Sequence, residues 1–156
     1  MSNFPRLEKL WAGSCGLAIE PDGHIARGLE ADAEMAALMS VLPQTRIKEL
    51  HLDDNDSFGP ASAAALAVAL PHMPFLEELH LSGLRNFGDA GMHALAPQLP
   101  AGRSLWFLYI PAGNFGDDGV RALIAVLPRC RALRHLCIGT RDDEDTHRMF
   151  GGIQDN

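Results

Sequence analysis

Leu76-Glu77-Glu78-Leu79-His80-Leu81 is the stretch that decides the fold, because it is one of four near-copies in the chain. The others are Ile47-Lys48-Glu49-Leu50-His51-Leu52, Leu105-Trp106-Phe107-Leu108-Tyr109-Ile110 and Leu133-Arg134-His135-Leu136-Cys137-Ile138. They start at 47, 76, 105 and 133, in steps of 29, 29 and 28 residues. An L-x-x-L-x-L core at a period of about 20–29 residues predicts a solenoid in which every unit supplies a strand and a helix.

The residues between the copies keep the same register. Phe58-Gly59 is answered by Asn86-Phe87-Gly88-Asp89-Ala90-Gly91 and by Asn114-Phe115-Gly116-Asp117-Asp118-Gly119. Behind these lie Ala63, Leu66, Ala67 and Leu70; Met92, Leu95, Ala96 and Leu99; and Val120, Leu123, Ile124 and Leu127. Each set follows i, i+3, i+4, i+7 and predicts a helix with one buried face. The pairs Leu70-Pro71, Leu99-Pro100 and Leu127-Pro128 are the expected helix ends, since a residue before proline is driven out of the helical region.

Carried backwards, the register finds a disguised first unit. Leu7, Leu10 and Ala12 take the strand slots, and Met35, Leu38, Met39 and Leu42 before Pro43 take the helix slots. From Leu7 to Ile47 is 40 residues, so this unit carries an insertion, placed at 16–29 around the turn signal Glu20-Pro21-Asp22-Gly23. The expected units are therefore 7–46, 47–75, 76–104 and 105–132, with a terminal strand and acidic cap over 133–156.

These motifs resemble the leucine-rich-repeat family, in particular its ribonuclease-inhibitor-like subtype with 28–29-residue repeats, over nearly the whole chain. The resemblance implies an α/β fold, a right-handed short horseshoe with a parallel sheet on its concave side and helices on its convex side. The family's asparagine slot holds Asn55 in one unit but Leu84, Gly113 and Arg141 in the others; Asn86 and Asn114, slightly later, either serve the same turn or leave that ladder broken. The resemblance implies no single function, because this frame carries inhibitors, receptors, GTPase activators and scaffolds.

Composition fits one soluble domain over 1–156. The apolar and charged fractions, 47% and 21%, are those of an ordinary globular protein. No apolar run is long enough to span a bilayer and the first residues do not read as a signal peptide, so a cytoplasmic location is expected. Cys15, Cys130 and Cys137 are odd in number and lack CxxC spacing, which predicts thiols rather than a disulfide framework or a cysteine zinc site. A net charge of -7 argues against nucleic-acid binding. The charges are also sorted. Arg46, Lys48, Arg103, Arg129, Arg131 and Arg134 lie on segments entering the strands, whereas Asp53, Asp54, Asp56, Asp89, Asp117, Asp118 and Asp142 to Asp145 lie on loops leaving them. Helix dipoles account for much of such a pattern. A partner protein with a basic surface would exploit it.

Strand alternation names the candidate site. If the Leu and Ile positions point into the core, the residues between them point away from it and form ladders across neighbouring strands. One ladder runs Trp11, His51, His80, Tyr109, Cys137; a second Lys9, Glu49, Glu78, Phe107, His135; a third, shorter, Gly13, Asp53, Ser82, Pro111, Gly139. Aromatic residues are enriched in interface hot spots, so Trp11, Phe107 and Tyr109 are the expected anchors of a partner-binding face, around a centre made of Glu49, His51, Asp53, Glu78, His80 and His135.

Histidines and carboxylates are also ordinary zinc ligands, but no His-Glu-x-x-His spacing is present, and no metal or other cofactor is expected. Nucleophile-elbow and phosphate-loop motifs are absent as well. The expected function is thus a non-catalytic protein-binding module or scaffold in a larger assembly; the alternative is a GTPase-activating or metal-dependent domain on the same frame. Helix 60–70 carries no charge, and Ser62, Ala65 and Ala69 are expected on its outer side, covered by the 16–29 insertion or by another subunit. The solenoid ends are a second place for subunit contact.

Overall fold

The computed structural model describes residues 7–12, 28–111 and 114–139. The 16–29 insertion up to residue 27, Cys15, Gly13, the slots at Gly113 and Arg141, and the acidic segment from Asp142 lie outside them. The elements alternate strictly: β1 (Lys9–Trp11), α1 (Gly28–Val41), β2 (Glu49–His51), α2 (Pro60–Ala69), β3 (Glu78–His80), α3 (Gly88–Leu95), β4 (Phe107–Tyr109), α4 (Asp117–Val126) and β5 (His135–Cys137). The fold class is α/β. The five strands are parallel and lie in chain order, β1-β2-β3-β4-β5. Successive helices pack on one another, α1 on α2, α2 on α3 and α3 on α4.

Register follows the repeat. Leu50, Leu79 and Leu108 are paired across β2, β3 and β4 and are fully buried, as are Leu52, Leu81 and Ile110 just beyond them. From the helix side come Met35, Met39, Leu66, Met92, Leu95 and Leu123, all in the same core cluster. Fully burying one such side chain stabilises by roughly 1.5–3 kcal/mol, so this row is the main reason the units stack. A second row is aromatic. Phe58 and Phe87 are fully buried with centroids 6.2 Å apart, and Phe115 meets Phe87 edge-on at 6.4 Å.

Three helix expectations need correcting. The α-helices do not run to their Leu-Pro pairs: α2 and α4 stop one residue short, and each chain continues as a 3-10 turn with proline near its start. In the third unit Pro97 intervenes, so α3 ends at Leu95 and a 3-10 turn covers Ala96–Ala101. A proline lacks the N–H that the next α-helical bond needs but is tolerated in the first turn of a helix. In α4 the buried residues are Gly119, Leu123 and Val126, while Ile124, placed in the core by its spacing, is 57% exposed. Among the described residues no helix follows α4 to cover that flank.

The third correction concerns α2. Ser62 and Ala69 are buried, not outward, and the exposed side is Ala61, Ala64 and Val68. Ser62 is turned towards α1 by Asp32. This buried carboxylate accepts hydrogen bonds from the backbone N–H groups of Gly59 (3.0 Å), Ala61 (3.0 Å) and Ser62 (2.8 Å), and from the Ser62 hydroxyl. The first turn of α2 is thus capped by the preceding helix rather than by its own residues. Asp89 of α3 does the same for α4, accepting from the N–H groups of Gly116 and Gly119 at 2.8 Å each. Glycine is required where the carboxylate comes this close. A Cβ at Gly59 would lie 2.7 Å from Asp32 Oδ2, and one at Gly119 2.8 Å from Asp89 Oδ1.

The asparagines divide their work. Asn55, buried, donates to the Ala12 carbonyl of the first unit. Leu84 fills the corresponding slot in the next unit as a fully buried core residue. Asn86 and Asn114 form a separate, exposed rung, donating to the Asp56 carbonyl at 2.6 Å and the Arg85 carbonyl at 3.0 Å. No helix among the described residues is long and apolar enough to cross a membrane.

Candidate functional site

The three-residue strands display their first and last residues on the face turned away from the helices. Pairing aligns Trp11, His51, His80, Tyr109 and Cys137 in one row and Lys9, Glu49, Glu78, Phe107 and His135 in the other. In the first row the rings touch. Trp11 lies 4.6 Å from His51, His51 stacks on His80 at 3.9 Å and 21°, and His80 lies 5.6 Å from Tyr109. Trp11 is 71% exposed, the most open large aromatic of the row.

The second row is more closed. Phe107 belongs to this face but is only 7% exposed, because its ring packs against His80 (5.1 Å), Tyr109 (6.3 Å), Trp106 (5.7 Å) and His135 (6.2 Å). It therefore supports its neighbours rather than presenting area of its own. Alternation fixes the side on which a residue stands, not whether its neighbours cover it. Trp106, which alternation leaves out of the ladders, closes over this corner and meets His135 edge-on at 5.6 Å.

Polar groups crowd both ends of the stacked histidines. Glu49 Oε2 lies 3.9 Å from His51 Nε2, and its Oε1 forms an ion pair with Lys9 at 2.7 Å. Glu78 Oε2 lies 3.4 Å from His80 Nε2. At the other end Asp53 Oδ2 is 3.8 Å from His51 Nδ1, while Asp53 Oδ1 accepts a 2.7 Å hydrogen bond from the Ser82 N–H. His51 Nε2 is buried without a hydrogen-bond partner.

Burial, and then the charge of neighbouring His51, lowers the pKa of His80 below its ordinary 6.5, against opposing pulls from Glu78 and Asp53. The folded state therefore keeps His80 neutral to lower pH than the unfolded chain does. Between the depressed value and about 6.5 the unfolded chain binds more protons, so stability rises with pH across that window. In protein kept free of metal ions, the urea midpoint should fall as pH is lowered through 6.5 towards 5, and His80→Gln should flatten that slope. A midpoint independent of pH, or an unchanged slope in the variant, contradicts the assignment.

The sorted charges are partly matched within the molecule. Lys48 pairs with Glu8 at 3.2 Å, Arg85 with Asp56 at 3.8 Å and Arg121 with Asp118 at 3.1 Å, while Arg46 lies over the Phe75 ring at 5.0 Å. Beyond the second row, Arg103, Arg131, Arg134, Trp106 and His135 line an open cleft. Neither Cys130 nor Cys137 takes part in a disulfide, and burial pushes the Cys130 thiol pKa up, away from reactivity.

No family model and no curated protein matches this chain. Of the nine candidate residues, Trp11, Glu49, His51, Asp53, Glu78, His80 and Tyr109 form one continuous polar and aromatic ribbon, and His135 stands exposed beside the buried Phe107. Ladder position alone does not reveal what Ser82 and Trp106 contribute. Ser82 acts through its backbone, which carries no residue-type signal, and Trp106 sits out of phase with the ladders.

Proposed function

We propose that this chain is a leucine-rich-repeat solenoid of the ribonuclease-inhibitor-like subtype and a non-catalytic, cytoplasmic protein-binding module. Its concave sheet binds a partner protein that offers a basic surface. The observation that carries this reading is the ribbon of touching rings that ends at Trp11, 71% exposed on a sheet face turned away from the helices. Aromatic rings already held by their neighbours lose little freedom on binding, and such residues dominate interface energetics. Glu49, Glu78 and Asp53 give the ribbon an acidic border, with Lys9 the one lysine or arginine of the strand rows.

Affinity capture from the native source, with the wild-type chain beside Trp11→Ala and Tyr109→Ala, tests this. Each substitution should leave the circular dichroism spectrum unchanged and weaken the captured partner by about 30-fold or more, the effect of losing a hot spot worth at least 2 kcal/mol. Undiminished recovery in both variants, with the fold intact, rejects the sheet face as the contact surface.

A further inference from the structure

Stacking would be served by any flat ring at positions 51 and 80, and it does not explain why three carboxylates border the two imidazoles. We propose that His51, His80 and Asp53 form a binding site for a divalent transition ion of the zinc class. One nitrogen of each ring and one carboxylate oxygen of Asp53 already lie within 4.8 Å of one another. Two imidazoles and a carboxylate are a donor set suited to zinc, which takes such ligands at about 2.0–2.2 Å and leaves its fourth position to water.

The surroundings say which atoms would ligate. His80 Nε2 is turned to Glu78 at 3.4 Å and His51 Nε2 to Glu49 at 3.9 Å, so Nδ1 is the nitrogen left for the ion on each ring. A histidine that ligates through one nitrogen must carry its proton on the other, and a carboxylate behind that proton orients the ring and raises its basicity. Glu49 and Glu78 stand in that position for both rings. His51 Nε2, buried and without a partner, has a use for its proton as soon as Glu49 closes on it. Asp53 is prepared in the same sense. The Ser82 N–H holds its Oδ1 at 2.7 Å and leaves Oδ2 on the side of His51 Nδ1, 3.8 Å away.

Bonds of this length place ligand atoms roughly 3.3 Å apart around a tetrahedral centre. Reaching that spacing from the present separations takes side-chain rotations, because His51 and His80 are paired in register on adjacent strands. The site does not depend on the existence of a protein partner, and it is tested without one.

The experiment is calorimetric titration of zinc chloride into the chelator-treated full chain at neutral pH, with circular dichroism confirming the fold of each variant. Wild type should bind one ion per chain at this site. His51→Ala and Asp53→Asn should abolish that binding, and the isosteric pair Glu49→Gln and Glu78→Gln should weaken it 10- to 100-fold each while leaving the ligands in place. His93→Ala, on the exposed side of α3, should change nothing. Absence of binding by the wild type overturns the proposal, as does one-to-one binding undiminished in both His51→Ala and Asp53→Asn.

Discussion

Phe87→Ala should lower the unfolding temperature by roughly 10 °C. Phe87 is fully buried between Phe58 and Phe115, so its ring joins three consecutive units. Removing such a ring costs about 3–5 kcal/mol through lost burial and the cavity left behind. In a chain of this length each kcal/mol shifts the midpoint by about 2–4 °C. The cavity has little chance to collapse, because Gly91 approaches the same ring so closely that a Cβ there would lie 2.6 Å from it. Calorimetric scans of wild type and variant check the prediction; a shift of under about 3 °C would show that the ring is not packed as described.

Asp32→Ala should be nearly as damaging, at about 3 kcal/mol in the urea or guanidinium midpoint. The carboxylate serves three N–H groups and a hydroxyl at the start of α2, and those of Gly59 and Ser62 are buried. Leaving buried donors without a partner costs about 1–3 kcal/mol each when water cannot replace it, and a lost helix cap alone about 0.5–2. Asp89→Ala is the internal comparison. Its bond to Gly116 is exposed and water can take the vacated place, so about 1 kcal/mol is expected. Equal losses in the two variants would contradict the role given to burial.

The strand register was legible because two signals of different period agree. The spacing of 29 residues sets Glu49 beside Glu78 and His51 beside His80, and the period of two within each strand sets all four on one face. The candidate site therefore follows from the repeat, up to the point where neighbours decide exposure. Phe107 shows that point: its side of the sheet was predictable, its 7% exposure was not, since that depends on how far Trp106 and His135 lean over it.

Helix phase was harder to read where the chain is nearly uniform. In α2 almost every residue is alanine or similarly small, so hydropathy favours no face, and the outward expectation for Ser62 fails because Asp32 holds it inward. Asp32 gives no local signal, because it lies in the unit whose length departs from the repeat and its partners lie 27 to 30 residues further along, in the next unit. A capping signal is normally sought within four residues of a helix start. Here it comes from the helix before.

The same clasps give the stack a grain. Asp32 ties α1 to α2 and Asp89 ties α3 to α4, but the corresponding position between α2 and α3 is Ala61, which has no carboxylate to offer. The carboxylate clasps thus alternate along the stack, and the middle junction is held by other means, Phe58 against Phe87 and the Asn86 bond to the Asp56 carbonyl. His51 and His80 span the same junction on the sheet face, one ring from each unit. A ligand gripping both rings would add a tie between the two units that no carboxylate clasp joins.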